Sequence, residues 1–264
     1  MSKDKFFKSS AIVMILIIIG KVLAVVRDSL VAAKFGITYI ADIYNFSIGM
    51  VYLLTTISYG LTTTFIPLNT DHIKKYTKEK RNKFVNNVIN TYGIFTIILT
   101  IILILLSKYI IIIFGNRFSN DTEVFNMSVT VIRIMFLSLI FISLQSIVTG
   151  ALQCHNEFYE PAAMSIVSNI VFIVYLVFFT KSYRIYGFAV ATVIGFFAQF
   201  IINVPKFKKL GYKYEFFIDF KDSELKKMLI LMVPVIISTS VIQLNNFINR
   251  AFAVNIKLFN WITD

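Results

Sequence analysis

The chain alternates long apolar segments with shorter polar ones, a pattern typical of helices that cross a membrane. A spanning helix needs roughly 20 mostly apolar residues, and seven segments of this sequence are about that long. Apolar and polar positions do not alternate with a period of two, so the pattern favours helices, which pair their own backbone groups in lipid. The predicted helices cover residues 10–34, 42–67, 86–114, 127–151, 161–180, 185–204 and 228–252.

Three prolines refine the helix boundaries. Pro67 is predicted to close the second helix, because proline cannot donate the backbone hydrogen bond that continues a helix. Pro161 is predicted to open the fifth, where the missing N–H costs least. Pro234 lies inside the seventh and predicts a kink, which would be either a hinge or simple packing geometry.

Basic residues concentrate in alternate loops, and this bias predicts the orientation of the chain. They precede the first helix and recur from Lys74 to Lys83 and from Lys206 to Lys227. Because cytoplasmic loops carry such an excess, we expect a multi-pass protein of the cell membrane with a cytoplasmic N-terminus. The apolar N-terminal run has no small-residue cleavage site, so we expect a first span rather than a signal peptide. The stretch from His72 to Lys83 is expected to be a solvated loop near anionic headgroups.

Composition supports the membrane assignment. Hydrophobic residues make up 57% of the chain and charged residues 15%, whereas soluble domains carry about 25% charged residues. A net charge of +12 would suggest nucleic acid in a soluble protein, but the basic loops account for it here, and no nucleic-acid partner is expected. Membrane lipids are the expected surroundings.

The motifs of enzymes and metal sites are missing from the sequence. Cys154 is the single cysteine, which excludes an internal disulfide and a multi-cysteine zinc site. A metal or nucleophile site at 154–157 is disfavoured, because adjacent residues do not converge well on one ion. The sequence contains no phosphate-binding glycine loop and no nucleophile-elbow or zinc-hydrolase motif. We therefore expect neither catalysis nor a resident cofactor or metal.

Three charged residues lie in or near the membrane part of the first helix: Lys21, Arg27 and Asp28. A charge at the bilayer centre costs at least about 2.5–3.5 kcal/mol, so such residues normally face a bundle interior or a wet cavity. One interpretation is a cationic wall for an anionic substrate such as a phosphate, which the planar fork of arginine suits. The alternative places Arg27 and Asp28 near the outer interface, where they tie helices together as ion pairs.

The second helix carries a polar stripe on an otherwise apolar segment. Such a stripe lines water or substrate, or packs against polar groups of a neighbouring helix. Asp42, at the start of this helix, either complements the helix dipole or contributes to the same site. Elsewhere, Arg133 faces a cavity or snorkels to the interface, and Asn169 joins helices or faces the lumen. The stripe consists of Asn45, Gly49, Tyr52, Thr56, Tyr59 and Thr63.

Several of these residues lie in stretches that resemble MurJ/MviN-type lipid II flippases, part of the multidrug, oligosaccharidyl-lipid and polysaccharide exporter superfamily. The resemblance covers residues 9–253 and is closest to clostridium-like members. Its most specific part is the RD…FG…D pattern followed by F-I-P. The stretches that carry it are GKVLAVVRDSLVAAKFG, ADIYNFSIGM, TTTFIPL, GALQCHNEFYEPAAMSIVSNIVFIVYLVFF and YGFAVATVIGFFAQFIINVPKFKKLGYKY.

The resemblance implies a two-lobed, all-α membrane protein with a central cationic cavity. By alternating access it would move lipid II, an undecaprenyl-pyrophosphate-linked peptidoglycan precursor, from the inner to the outer leaflet. Family arginines of the first helix match Lys21, with a conservative change of residue type, and Arg27. The acidic residue that opens the family's second helix matches Asp42. The substrate-binding set expected from the residues and the resemblance is Lys21, Arg27, Asp28, Asp42, Asn45, Tyr52 and Thr56.

The sequence also departs from the family. Some members carry lumen arginines in the second helix, where this chain has Thr55 and Thr56, and the tail diverges after Ala253. We expect a six-helix N-terminal lobe at 1–205, a basic cytoplasmic linker at 206–227, and at 228–264 the first helix of a second lobe with an aberrant tail. The rest of the second lobe would then be missing. Two alternatives remain: a flippase for another lipid-linked polysaccharide precursor, and a non-transporting half-lobe that docks on a partner.

Overall fold

The computed structural model describes residues 3–36 and 38–255, and within them every regular element is helical. This confirms the predicted all-α fold. From position 256 onward, the predicted aberrant tail lies outside the residues that the structure describes. The helices are α1 (Lys3–Phe35), α2 (Tyr39–Lys75), α3 (Lys78–Phe114), α4 (Thr122–Phe136), α5 (Ser138–Cys154), α6 (Tyr159–Val174), α7 (Thr180–Lys209) and α8 (Ser223–Asn255), with a 3₁₀ turn at Asn116–Asn120 and a π turn at Tyr175–Phe179.

Six continuous helical stretches of the described chain are long and apolar enough to cross a membrane. One of them, the 51-residue stretch from Tyr159 to Lys209, reverses direction at Arg184, whose φ of 45° is not helical. On either side of this reversal α6 and α7 pack antiparallel, since Gln199 donates to the Ser168 hydroxyl at 2.7 Å. The stretch therefore makes two crossings, which agrees with the prediction of about seven transmembrane helices.

The apolar core is built around α2 and the α4–α5 segment. In contrast, α1, α3 and α8 expose rows of isoleucine, valine and leucine along most of their length. Exposed apolar surface of this extent is not typical of a soluble monomer, but it is the surface that lipid requires. The largest fully buried side chains include Phe46, Leu61, Phe65, Ile132, Phe136, Ile147 and Phe188.

The second helix does not end at Pro67, so this prediction was wrong. The helix continues for two more turns to Lys75, although an internal proline costs about 3 kcal/mol. The extra turns bury Leu68 and His72, and the His72 ring stacks on Phe84 of α3 with centroids 4.3 Å apart. These contacts offset the cost of the proline.

The stretch between His72 and Lys83 is mostly exposed, as predicted, but it is helical and not a loop, because only Tyr76 and Thr77 separate α2 from α3. Thr77 caps α3, accepting a hydrogen bond from the Lys80 backbone N–H at 3.4 Å. Arg81 is buried, and its guanidinium lies over a tyrosine ring of a later segment. The basic stretch therefore contains the first turn of α3, in which Arg81 packs against the rest of the protein.

Residues 210–222, here called the strap, connect α7 to α8 in an extended conformation along α3. Asparagine side chains of α3 donate to strap carbonyls at alternate positions, so the strap is bound to the bundle. It is also shorter than the predicted linker 206–227, since helix covers both ends of that range. The bonds run from Asn82 to Gly211 (3.1 Å), Asn86 to Lys213 (2.8 Å), Asn90 to Glu215 and Phe217 (3.1 Å each) and Asn87 to Asp219 (2.9 Å).

The last helix, α8, packs along α2. A Cβ atom on Gly60 of α2 would lie 2.7 Å from Cγ1 of Ile236, so only glycine permits this approach. Further along, the Phe247 ring lies 5.8 Å from the ring of Phe46. The assignment of α8 to a second lobe stays a prediction.

Candidate functional site: a polar cavity beside α1

The site begins at a close crossing of α1 and α6. Gly20 of α1 is buried, and a Cβ atom there would lie 3.0 Å from the Ser165 side chain. Asn169, one turn further along α6, is 2% exposed. Its Nδ2 donates to the Gly20 carbonyl at 3.1 Å and to Ser165 Oγ at 3.2 Å. Since both amide hydrogens are used, the Asn169 oxygen has a fixed direction.

That oxygen accepts a hydrogen bond from Nη1 of Arg27 at 3.1 Å. The opposite edge of the guanidinium donates to Oδ1 of Asp28, from Nε at 2.9 Å and from Nη2 at 2.8 Å. The Phe172 ring lies 5.7 Å from the guanidinium carbon. Three contacts therefore hold the Arg27 side chain, which remains 24% exposed.

Arg27 opens onto a cavity of about 390 Å³ between α1, α2, α6 and α7. This volume lies at the lower end of the range for small-ligand pockets, roughly 300–1,000 Å³. On its α2 side, Tyr44 is buried, with its hydroxyl 3.4 Å from Thr192 Oγ1. Charged and hydrogen-bonding groups converge from α1 and α2, while Phe172 and Phe196 form apolar walls.

Four of the predicted site residues line this one cavity: Arg27, Asp28, Asn45 and Tyr52. Asn45 and Tyr52 lie two turns apart on an exposed face of α2, and Tyr59 continues the same face. The polar stripe therefore extends from the cavity along α2 for about five turns to Thr63, at 3.6 residues per turn.

The other three predicted residues lie apart from the cavity lining. Lys21 is exposed on α1. Asp42 is half-buried in the first turn of α2, where a carboxylate complements the helix dipole. Thr56 is buried, and its hydroxyl donates to the Leu53 carbonyl of its own helix at 2.8 Å.

The roles of Asn169, Tyr44 and Phe172 at this cavity were not predicted from the sequence. Asn169 was recognised only as a scattered polar residue, although Ser165 and Asn169 lie four apart and so share a helix face. Aromatic residues on apolar helices more often belong to a core, and neither Tyr44 nor Phe172 carries a local pattern that separates the two roles.

The remaining candidates have structural partners elsewhere. Arg133 donates through Nε to Ser107 Oγ at 2.7 Å and to the Ile104 carbonyl at 3.3 Å, which ties α4 to α3. His155 contacts the Tyr212 hydroxyl at 3.1 Å. In the part of the chain that the structure describes, no group of three or more His, Cys, Asp or Glu side chains is arranged to hold a metal ion.

Two solved structures, described as a flippase and a transporter, have a similar arrangement of helices. A structure described as lipid II flippase MurJ in an inward closed conformation aligns with a TM-score of 0.75 and 24% identity, over 92% of this chain and 50% of that one. An inward-facing multidrug resistance MATE family transporter of the MOP superfamily aligns with a TM-score of 0.64 and 15% identity, over 87% of this chain and 52% of that one. The chain therefore has the fold of this class of membrane transporter.

Sequence comparison identifies the family within this class. The profile of the family "Lipid II flippase MurJ" matches residues 31–258, and the chain belongs to this family. Its relatives include the probable lipid II flippase MurJ of Buchnera aphidicola, 28% identical over 95% of this chain, and the lipid II flippase MurJ of Burkholderia cenocepacia, 24% identical over 89%. The resemblance seen in the sequence is thereby confirmed. The chain spans about half the length of these curated relatives, 50% and 47% respectively.

Proposed function

We propose that this chain forms one side of a flippase that moves lipid II from the inner to the outer leaflet of the cytoplasmic membrane by alternating access. The observation that carries the proposal is Arg27, a cation of the first spanning helix that faces a polar cavity and is held there by Asn169. A charged residue at membrane depth that lines a hollow is by default a candidate for a functional site. The family membership supports the choice of lipid II.

The diphosphate of the substrate would bind the edge of Arg27 that now holds Asp28. A planar guanidinium offers two parallel N–H donors to either a carboxylate or a phosphate. Asp28 is 67% exposed, and exposed ion pairs contribute only about 0–1 kcal/mol. Asp28 therefore competes weakly, and a more highly charged diphosphate displaces it into water. The proposed reaction is transport alone, and no covalent bond is made or broken.

We also propose that the N-terminus, the α2–α3 connection and the strap lie on the cytoplasmic side. The basic residues flanking these segments support this orientation through the excess of Lys and Arg in cytoplasmic loops. The cavity would then lie towards the outer leaflet, because Arg27 is eight residues from the far end of α1 at Phe35, roughly 12 Å along the helix.

A second lobe would complete the cavity. Tyr59 supports this, because its side chain is 62% exposed on α2, and polar side chains at membrane depth normally face a partner or water. The relatives are about twice as long as this chain, and their second halves are the proposed counterpart.

The test is split complementation in cells depleted of their own lipid II flippase. The chain, produced together with the C-terminal half of a full-length relative, is expected to restore growth and the appearance of lipid II on the outer leaflet. Arg27→Ala should abolish this rescue. Lys34→Ala, an exposed cation on the same helix outside the cavity, should not affect it.

Binding to the purified chain provides a measurement that does not depend on assembly of the two halves. In nanodiscs, undecaprenyl diphosphate is expected to bind the unmodified chain about tenfold more tightly than the Arg27→Ala variant. Equal binding by both would remove Arg27 from the site.

Rescue of cells lacking an exporter of another lipid-linked glycan, without rescue of flippase-depleted cells, would assign the chain to that substrate. If the chain associates with an intact transporter but does not rescue growth, the alternative of a non-transporting half-lobe that docks on a partner would be favoured.

A further inference from the structure

A second groove lies away from Arg27, on the outer face of the bundle, between α3, α5, α7 and the strap. Its volume is about 410 Å³. The walls are almost entirely aliphatic and aromatic, and the polar side chains lie at one end, near the start of α3 and the end of α7. Residues that define the groove are Asn90, Gly93, Val148, Phe200, Lys208 and Tyr214.

The groove has the length of one membrane leaflet. Along α3 it extends from Ile89 to Ile97, and along α7 from Lys208 back to Phe200. Eight residues of helix correspond to about 12 Å, and one leaflet of the hydrocarbon core is about 15 Å thick. An acyl chain of a lipid in the adjacent leaflet matches this length.

The strap forms the wall at the polar end, and its construction suits the membrane interface. An extended backbone near lipid needs donors for its carbonyl groups, and the α3 asparagines provide them. The aromatic side chains are then directed outward, with Tyr214 64% and Phe216 75% exposed. Aromatic residues are enriched at the headgroup level of a bilayer, so the groove opens towards lipid.

The charge at the polar end is a lysine. Lys208 is exposed at the rim of the groove. Within the described ranges, no carboxylate forms a salt bridge with it, whereas the nearby Lys206 pairs with Glu157 at 2.8 Å. Beside it, the Tyr214 hydroxyl donates to Asn90 Oδ1 at 2.9 Å. An ammonium group above an apolar groove complements a phosphate joined to an acyl chain.

We propose that this groove binds an anionic glycerophospholipid of the adjacent leaflet, with the phosphate at Lys208 and one acyl chain between α3, α5 and α7. The site is separate from the cavity of the proposed function and does not depend on it. The bound lipid contacts the strap through Tyr214 and Phe216, and so stabilises the connection between α7 and α8.

The first test compares lipids and charge. The detergent-purified chain is titrated with phosphatidylglycerol or phosphatidylcholine, and the bound lipid is counted by native mass spectrometry. Phosphatidylglycerol should bind more tightly, and Lys208→Gln should weaken it about fivefold, the usual effect of one lysine near an anionic lipid surface. Lys209→Gln, an adjacent exposed cation outside the groove lining, should change binding less than twofold. Equal affinity for both lipids, or no effect of Lys208→Gln, would overturn the proposal.

The second test fills the groove. A Cβ atom on Gly93 would meet only Leu144 Cδ2, at 3.9 Å, so α3 accepts a side chain there. Gly93→Leu should reduce the binding of both lipids at least about tenfold, while the melting temperature in lipid-free detergent is retained. Ile101→Phe, which adds bulk on an exposed part of α3 outside the groove, should leave binding unchanged. Unchanged binding in a folded Gly93→Leu variant would contradict the proposed position of the acyl chain.

A competition experiment separates this site from the flippase cavity. Undecaprenyl diphosphate should not displace phosphatidylglycerol from the groove, and Arg27→Ala should not alter phosphatidylglycerol binding. Displacement that depends on Lys208 would assign the groove to the transported lipid instead. Failure of the proposed transport would leave the expected phosphatidylglycerol binding unchanged.

Discussion

Asn169 accepts a hydrogen bond from Nη1 of Arg27 at 3.1 Å while its own amide group donates to the Gly20 carbonyl at 3.1 Å. One side chain of α6 thus links the backbone of α1 to the guanidinium two turns further along the same helix. Asn169 is 2% exposed and does not line the cavity, so it contacts Arg27 from behind the cavity wall. The orientation of Arg27 is consequently determined by the crossing of α1 and α6.

Asn169→Ala is expected to weaken diphosphate binding less than Arg27→Ala does, because the cation remains but loses one of its three restraints. The substitution also removes the hydrogen bonds that Asn169 donates to the Gly20 carbonyl and to Ser165 Oγ, each worth about 0.5–1.5 kcal/mol. Titration of undecaprenyl diphosphate and thermal unfolding would measure the two effects. A loss of stability with no change in affinity would limit Asn169 to a structural role.

Asp28→Asn is expected to increase diphosphate affinity. The substitution removes the carboxylate that now occupies the Nε/Nη2 edge of Arg27, so an incoming phosphate no longer competes with it. An increase of up to about fivefold is expected, because an exposed pair contributes about 0–1 kcal/mol. Asp71→Asn, which breaks the exposed pair with Lys75, serves as the matched control. A decrease in affinity would show that Asp28 itself assists binding.

Asn86→Leu is expected to release part of the strap. The Lys213 carbonyl, which now accepts from Asn86 at 2.8 Å, would lose its donor, at a cost of about 1–3 kcal/mol where it is shielded from water. Trypsin should then cleave after Lys213 at least several times faster than in the unmodified chain. Asn120→Ala, an exposed residue elsewhere in the chain, should leave the cleavage rate unchanged.

Lowering the pH below about 6.5, the ordinary pKa of a histidine side chain, is expected to destabilise the contact between His155 and the strap. Burial, and then the charge of Arg81, lower the pKa of His155. Its neutral form is therefore favoured by folding, and the stability it contributes is present above 6.5 and lost as the pH falls. The partner does not titrate in this range, because burial raises the pKa of Tyr212 to about 12.

The measurement is the melting temperature between pH 8 and pH 5 for the unmodified chain and for His155→Gln, which keeps a polar group beside the Tyr212 hydroxyl. The decrease towards acid pH should be smaller in the variant. Parallel curves would mean that other groups account for the pH dependence.

The sequence predicted the helical class, about seven crossings and Arg27 as a candidate site residue. Each of these depends on the types of residues within a single helix and not on contacts between helices. Helix ends were less predictable. The continuation of α2 past Pro67 depends on His72 packing against Phe84, a contact with another helix that no local pattern encodes.

Asn169 joins two helices, which was one of its two predicted roles, but its contact with Arg27 and the course of the strap were missed for a related reason. A run of asparagines at the start of α3 is typical of polar surface, and only the folded chain shows these residues bonded to the extended segment at 210–222. Asn169 likewise acquires its role from the glycine opposite it on α1. Long-range pairing of this kind requires the three-dimensional structure.

The close approach at Gly20 has a mechanical consequence. Since Ser165 and Asn169 meet α1 with no intervening side chain, the two helices cannot slide past each other without breaking this junction. Because Asn169 of α6 is bonded to Arg27, a tilt of the hairpin formed by α6 and α7 is expected to move the guanidinium of residue 27 with it. Movement of that hairpin would then set which face of the membrane the positive charge addresses.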